Sequence, residues 1–438
     1  MRQILRPWFL FATLLIVAVF AGIACSSGDN GGTNTPTGST HASASSSASP
    51  GPLKTDVGVS ATEIKLGEHI VESGSLAAVY APIAPALQAY FKKINTEDHG
   101  VCGRQITLVV EDDQYSPSVA REKAQKLIEQ DQIAAFVGNL GTPPNTGSAA
   151  YINAQGVPDL WLLTGVTGFA DPATYPWTVL YNPDYTSEGH ILANYVNQNL
   201  PNKTVGILYQ NDDFGKSGRD AFVAKFSGQI VEQESYESTA TDINSQLATL
   251  RSANPDILYL YSTPAFTAKV FAYMQQNSWK PQVVESYVNA TTTLASLVGG
   301  GTTADKVAAG WQQVAGTISN NYILDPVADK NNPALVEHTR IMTQFGGPPV
   351  GSLTVTAQAV AETMVHTLQI ACQNGDMTRQ GIMNAAEQIT GYAPSVLLPG
   401  ISITVSKTDH AALQQLVPIQ IQADGTLKAL TTTPISGS

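Results

Sequence analysis

The chain has 438 residues, of which 43% are hydrophobic, and its formal net charge is −12 at pH 7. This length predicts two or three domain-sized units, each with a substantial core. An acidic chain without a basic block argues against nucleic acid and against an anionic membrane surface as partners.

The first 24 residues have the pattern of an export signal. Arg2 and Arg6 precede an apolar run at 9–24 that ends in small residues beside Cys25. An uncleaved membrane anchor is the alternative, since the run approaches the length of a spanning helix. The GIAC tetrapeptide at 22–25 resembles a bacterial lipobox and favours a lipidated Cys25. We therefore expect an exported protein that a lipid holds on the outer face of the cell membrane.

The segment after Cys25 is predicted to be a tether. Residues 26–52 contain no large apolar side chain and are rich in Ser, Gly and Thr. Such a segment buries too little surface to offset its ordering entropy, so we expect disorder over 25–55.

From residue 56 onward, strand-like runs alternate with helical ones. The first half contains four predicted strands and two predicted helices; the strands are 64–70, 104–112, 133–139 and 158–164, and the helices are 82–95 and 116–130.

The alternation restarts near residue 190. It predicts helices at 190–200, 215–226, 242–251 and 265–277, with strands at 204–212, 229–237, 256–262 and 306–316. Further helices are expected at 333–345, 352–373 and 378–388, and closing strands at 402–407 and 416–427.

This order indicates an α/β protein with two doubly wound parallel-sheet lobes. We expect the chain to cross between the lobes near Tyr181–Pro183, near Gln313–Thr317 and before Leu416, which makes a three-strand hinge. The predicted lobes are 56–180 plus 317–415 and 181–316 plus 416–430, followed by a tail at 431–438.

Ligands in open parallel sheets bind beyond the carboxyl ends of the strands. The loop GNLGTPPNTG at 138–147 follows such an end and opens a helix at Gly141 and Thr142. Thr164 and Thr167 follow the next strand. Free N–H groups at a helix N-terminus, together with hydroxyls, can hold a carboxylate, whereas simple helix capping is the alternative.

Aromatic side chains also cluster near strand ends. Phe214, Tyr261 and Tyr287 are candidates to line a cleft, as is Phe169, while Trp161 is expected in the core. The Gly-Lys-Ser at 215–217 lacks the first glycine of a phosphate-binding loop. We find no motif for catalysis, metal or cofactor binding, so we expect none of the three.

Two cysteines lie within the folded part. Cys102 and Cys372 either form a disulfide, which an exported protein permits, or remain two buried thiols. They match no zinc-binding pattern.

Five segments together resemble the leucine/isoleucine/valine-binding protein family. They are 64–77, 94–117, 124–138, 205–218 and 241–260. The resemblance covers roughly residues 56–430 and implies the type I periplasmic-binding fold of the solute receptors of ABC transporters, with a membrane permease as partner and a monomeric receptor.

The resemblance also implies site residues. The ligand carboxylate would contact Thr142 and Thr167, with the Gly165 carbonyl between them. Phe214 stands where the family has tyrosine. The acid that pairs with the ligand ammonium falls at or near Tyr287, and Glu285 is the nearest carboxylate. The expected solute is therefore a branched-chain or other amino acid, an amide or an aromatic carboxylate.

Two other functions stay open at this stage. A two-lobed solute-binding protein of this kind is also compatible with the ligand-binding subunit of a surface sensor. A secreted hydrolase is the third class, because catalytic triads assemble from distant positions.

Overall fold

The computed structural model of the protein describes residues 53–74 and 76–437. The predicted export signal, the lipidated Cys25 and most of the predicted tether lie outside the described residues. Lys54 and Thr55, at the end of the predicted tether, pair with Asp376 and Met377 as short parallel strands. The folded body therefore includes these two residues.

The described residues form alternating strands and helices. In chain order the strands are β1 (Lys54–Thr55), β2 (Glu63–Ile70), β3 (Gln105–Asp112), β4 (Ala135–Val137), β5 (Asp159–Leu162), β6 (Thr178–Leu180), β7 (Val205–Gln210), β8 (Ile230–Tyr236), β9 (Ile257–Tyr261), β10 (Gln282–Glu285), β11 (Ile318–Asn321), β12 (Asp376–Met377), β13 (Gln415–Ile421), β14 (Leu427–Ala429) and β15 (Ile435–Ser436). The helices are α1 (Ala77–Tyr80), α2 (Ile83–Glu97), α3 (Pro117–Glu129), α4 (Thr142–Ala154), α5 (Tyr185–Asn199), α6 (Asp213–Lys225), α7 (Asn244–Ala253), α8 (Pro264–Gln276), α9 (Thr292–Val298), α10 (Ala304–Val314), α11 (Pro333–Phe345), α12 (Ser352–Gln373) and α13 (Arg379–Ala386).

The first sheet has the order β3-β2-β4-β5-β6, and every pair in it is parallel. Most of β2 is buried, as expected for a parallel strand with both faces covered. Leu127 of α3 and Ile152 of α4 pack with Phe136 in one apolar cluster. Leu87 of α2 belongs to a separate, larger cluster, together with Leu368 of α12. Helices therefore cover both faces of this sheet.

The second sheet has the order β14-β13-β11-β10-β9-β7-β8, with β15 paired to β13. Its strands are parallel from β8 through β11, and β13 then runs antiparallel to β11. The closing strand predicted at 416–427 is divided in the structure into a hairpin of β13 and β14.

The chain passes between the two sheets three times. The first passage joins β6 to α5, and the last precedes β13, both near the predicted positions. The middle passage follows β11, which pairs with β10 inside the second sheet. It therefore comes after Asn321, later than the crossing predicted at Gln313–Thr317.

Three element predictions need correction. The segment 306–316, predicted as a strand, lies largely in helix α10. Val307, Trp311 and Val314 are spaced by four and three residues, which is the helical period rather than the strand period. Residues 402–407 form isolated bridges rather than a strand. Helix α5 begins at Tyr185, not near His190, because the Asp184 side chain accepts a hydrogen bond from the Ser187 N–H and caps the helix.

Cys102 and Cys372 form a disulfide, with their Cα atoms 6.1 Å apart. Cys102 lies between α2 and β3, and Cys372 lies at the end of α12. The bond therefore joins the early and late parts of the chain that build the first sheet and its helices.

Candidate ligand-binding site

A cavity of about 80 Å³ lies between the two sheets. Its wall contains aromatic, hydroxyl and amide side chains from both; the lining residues are Tyr80, Ile83, Tyr115, Leu140, Gly141, Thr142, Leu163, Asn182, Tyr185, Phe214, Thr263, Tyr287, Val288, Ala290, Thr291, Asn321, Tyr322, Ile323, Ser352, Leu353 and Thr356. None of these lining residues carries a charged side chain. The cavity therefore suits an uncharged or weakly polar group.

The wall from the first sheet is set by the turn that follows β4. Gly141 has a φ of +98°, and a Cβ atom there would lie 2.5 Å from Cε2 of Tyr115. Only glycine therefore fits between the turn and this ring. Thr142 begins α4, is almost fully buried, and has its Oγ1 2.7 Å from Oγ1 of Thr164.

The start of α4 offers few main-chain donors. Its second and third residues are Pro143 and Pro144, which have no N–H. The Gly141 N–H donates to the Leu163 carbonyl at 3.2 Å, and the Asn145 N–H donates to the Gly141 carbonyl at 3.2 Å. The Thr142 N–H is the remaining donor of this first turn. The predicted cradle of several N–H groups is thus reduced to one N–H and a pair of hydroxyls.

Tyr185 of α5 reaches across to this pair of hydroxyls. Its N–H donates to the Gly165 carbonyl at 2.8 Å. Its ring packs on Gly165 so closely that a Cβ there would lie 2.6 Å from Cδ1 of the ring. Burial raises the pKa of Tyr185 to about 12, against opposing interactions that include the hydroxyls of Thr164 and Thr142. The Tyr185 ring therefore lies against Gly165, one of the positions to which the resemblance assigns a ligand contact.

The wall from the second sheet is aromatic. The Phe214 ring centroid lies 5.2 Å from that of Tyr185 and 4.9 Å from that of Tyr261. Tyr287 packs edge-on against Tyr322 at 5.6 Å. These rings bury apolar area and leave hydroxyl groups to bond locally, so they define a shaped and mostly apolar surface.

A buried carboxyl supports this aromatic wall from behind. Glu188 accepts hydrogen bonds from the Tyr261 hydroxyl at 2.6 Å, the Ser286 hydroxyl at 2.9 Å and the Tyr287 N–H at 2.5 Å. Burial raises the pKa of Glu188 to about 7, although these hydrogen bonds oppose the rise. Glu188 therefore positions Tyr287 and does not itself line the cavity.

Glu285 is fully buried and does not line the cavity. Neither of its carboxyl oxygens has a hydrogen-bond partner among the described residues. Burial raises its pKa well above the usual range, and the nearby Glu188 raises it further. Because this carboxyl lies outside the cavity lining and its raised pKa favours the neutral form, it is a poor countercharge for an ammonium group in the cavity.

The structure brings together four of the predicted ligand contacts, Gly141, Thr142, Phe214 and Tyr287, on one cavity wall or the other. Four more, Thr164, Gly165, Tyr261 and Glu285, are buried but are not among the lining residues. Thr167 is exposed, its Oγ1 lies 3.0 Å from Oγ1 of Thr186, and it does not reach the cavity.

Two other aromatic predictions have clear outcomes. Trp161 is fully buried, as predicted. Phe169 packs against Tyr175, with ring centroids 5.4 Å apart, and does not line the cavity.

Several lining residues are not predicted from the sequence, above all Tyr185 and the stacked pair Tyr80 and Tyr115. The sequence does contain a pattern that places Tyr185 at the start of a helix. Asp184 followed by Ser187 is a helix-start pattern, which places Tyr185 on the first turn of a helix directly after a crossing.

A Ser-His-Asp hydrogen-bonded chain lies within the first lobe. Nδ1 of His69 is 2.9 Å from Asp113, and its Nε2 is 3.0 Å from Oγ of Ser148. All three residues are fully buried, and none of them lines the cavity. The arrangement gives a substrate no access to the hydroxyl, so it does not favour the hydrolase alternative.

These features define a class: a two-lobed α/β protein whose lobes enclose a small cavity without a reactive side chain facing it. A sequence model of the family described as "Periplasmic binding protein" matches residues 63–426. The chain belongs to this family, whose members are solute-binding receptors that act outside the cytoplasm.

Solved structures support the type I periplasmic-binding fold. A branched-chain amino acid ABC transporter protein from Thermus thermophilus with bound valine is similar at a TM-score of 0.74 and 17% identity, covering 86% of this chain and 97% of that one. A fatty acid ABC transporter substrate-binding protein from Thermomonospora curvata is similar at 0.74 and 20%, covering 88% and 95%. At these identities the likeness shows the fold alone.

Among curated proteins, an amino acid binding protein from Pseudomonas aeruginosa is 22% identical over 213 residues. The match covers 46% of this chain and 54% of that protein, so the chain spans about half the length of this relative. Within the described residues, no helix has the length and apolar character needed to cross a membrane.

Proposed function

We propose that the protein is the solute-binding receptor of an ABC importer, without catalytic activity, and that it closes its two lobes around a small solute. The cavity supports this proposal because residues from both lobes, such as Thr142 and Tyr287, line it together. Its volume of about 80 Å³ holds only a few small molecules such as water, so a larger solute enters when the lobes move apart. The closed form then docks on a membrane permease, while a lipid on Cys25 keeps the receptor at the membrane surface.

The lining favours a solute without a free ammonium group. A buried ammonium needs a paired charge, and its absence costs several kcal/mol. None of the lining residues is charged, and Glu188 and Glu285 both have raised pKa values. Of the solutes that the sequence leaves open, an amide fits this lining best; a deaminated acid brings one unpaired charge and an α-amino acid brings two.

The two solved structures described above are named for different solutes, one with an ammonium group and one without. The Thermus thermophilus protein contains valine, and the Thermomonospora curvata protein is described as a fatty acid receptor. This pair motivates a direct comparison between amino acids and acids that lack the amine.

A thermal-shift panel on residues 53–438 tests the proposal. Each amino acid is paired with its amide and its deaminated acid, including aromatic examples. A solute at 100 times its Kd stabilises the protein by about 2.7 kcal/mol, which is an easily measured rise in Tm. We expect the larger shifts from solutes without the ammonium. The largest shift from leucine or valine would show that an ammonium is accommodated, and a panel without any shift would count against solute binding.

A further inference from the structure

A second and larger space lies next to the interlobe cavity. It has a volume of about 740 Å³ and lies between the start of α2, the loop from α9 to α10, and the start of α12. We call it the outer groove. Its apolar wall includes Pro82, Leu297, Val307 and Val350, and none of its lining residues is charged.

The outer groove and the cavity are parts of one cleft. Leu353 lines both of them. Each of three chain segments also contributes neighbouring residues to the two spaces: Pro82 beside Ile83, Thr292 beside Thr291, and Gly351 beside Ser352. Two of these segments flank helices of the first lobe and the third belongs to the second, so the outer groove closes and opens with the cavity.

The two compartments differ in chemistry. The cavity presents hydroxyls of Thr142, Tyr185 and Thr356 to a small group. The outer groove presents aliphatic side chains and proline rings together with five hydroxyl side chains, those of Thr292, Thr293, Ser296, Thr302 and Thr354. Small-molecule sites typically measure about 300–1,000 Å³, which the cavity alone does not reach but the continuous cleft does.

We propose that the cleft binds an elongated solute whose polar end lies in the cavity and whose apolar chain passes Leu353 into the outer groove. This inference rests on the proposed solute-binding function and names the class of solute: a molecule with a small polar head and an unbranched aliphatic tail. Leu353 then sets the passage between the two compartments.

Calorimetric titration with a chain-length series tests this proposal. The probes are butanoate, octanoate and dodecanoate, with the matching primary amides. Each methylene that enters an apolar groove lowers Kd by about fourfold. We expect the affinity of the natural chain to rise with chain length and then level off once the groove is full.

Two variants from opposite walls test the passage. Leu353→Trp narrows it from the first lobe, and Thr293→Trp fills the outer groove from the second lobe. Both are expected to remove the gain from chain length. Thr293 lies outside the cavity, so Thr293→Trp should leave the affinity for short solutes unchanged, whereas Leu353→Trp alters a residue of the cavity wall and should lower that affinity as well. Val336→Ala, at an exposed valine of α11, is the matched control and should behave as the natural chain does.

Several results would overturn the inference. One is an affinity that does not depend on chain length in the natural protein; another is an equal loss for short and long probes in both groove variants. Equal gains with chain length in all variants would indicate adsorption to the surface instead. Binding of a short solute from the thermal-shift panel, without binding of any long-chain probe, would end the outer-groove proposal and leave solute binding intact.

Discussion

The two walls of the cavity are built by different means. On the side of the first sheet, a rigid turn sets the wall: a glycine with positive φ and two prolines lie next to two threonine hydroxyls 2.7 Å apart, and the stacked rings of Tyr80 and Tyr115 complete the wall. On the side of the second sheet, side chains dominate, with Phe214 and Tyr287 in front and Glu188 behind. The first wall is therefore anchored by a rigid turn, whereas the second depends on ring packing and on one buried carboxyl.

This difference has a consequence for specificity. The turn of the first wall tolerates little change, because Gly141 has a positive φ and a Cβ there would lie 2.5 Å from the Tyr115 ring. A wall made of aromatic rings changes shape with each substitution. Selection for a new solute would therefore act mainly through the second lobe and through Tyr185, which spans the two walls.

The largest effect is expected from Phe214→Ala. The substitution removes a nearly fully buried ring that packs on Tyr185 and Tyr261, so it should lower the free energy of unfolding by about 3–5 kcal/mol and weaken solute binding. Denaturant unfolding and calorimetry measure both quantities. Val223→Ala, at an exposed position of the same helix, should change stability by less than about 0.5 kcal/mol. A similar small change for Phe214→Ala would show that the aromatic wall does not depend on this ring.

The next largest effect is the contribution of Glu188 to the pH dependence of the free energy of unfolding. Its pKa rises from 4.5 in the unfolded chain to about 7 in the folded protein. Between these values the unfolded chain has released the proton and the folded protein retains it, so stability falls as pH rises through this window. The loss amounts to about 3 kcal/mol for this group and stops above pH 7. Glu188→Gln should remove this part of the pH dependence in unfolding experiments.

Asp159 of the first lobe provides the matched control. Burial raises its pKa to about 7 as well, and it accepts a hydrogen bond from Asn139 at 2.8 Å, away from the cavity. Asp159→Asn should also flatten the dependence of stability on pH. Only Glu188→Gln should change the pH dependence of solute affinity, because only Glu188 holds Tyr287. The same change of affinity in both variants would show that the two carboxyls are equivalent.

The smallest expected change in solute affinity comes from a comparison of two threonines of the first lobe. Thr142→Val removes a hydroxyl from the cavity and from Thr164, so solute affinity should fall by about tenfold. Thr167→Val should leave affinity unchanged, since Thr167 is exposed and lies outside the cavity. Equal losses in the two variants would mean that the loop after β5 rearranges to bring Thr167 to the solute.

The sequence predicts much of the architecture because its signals are local. Alternating strands and amphipathic helices are visible in the chain, and their order implies parallel sheets. The segment 306–316 shows the limit: Val307, Trp311 and Val314 match a helix, yet a short apolar run also suits a strand. Because 306–316 is predicted as a strand, the second of the three crossings between the lobes is expected before β11, whereas the structure has it after β11.

The site is harder to predict than the fold. Gly141, Thr142 and Phe214 follow strand ends and are found by that rule alone. Tyr185 is missed because its importance depends on where Gly165 and Thr164 lie in space, which no local pattern records. Glu285 matches the expected acid by position along the chain, but its carboxyl lies behind the cavity wall.

The bond between Cys102 and Cys372 spans a sequence separation of 270 residues, and most of the second sheet lies inside that span. A protease that nicks one exposed loop there cuts the backbone but frees no fragment. The clipped molecule stays a single covalent piece until a reductant opens the link. For a receptor that works outside the cytoplasm, one such cut does not by itself separate the two halves.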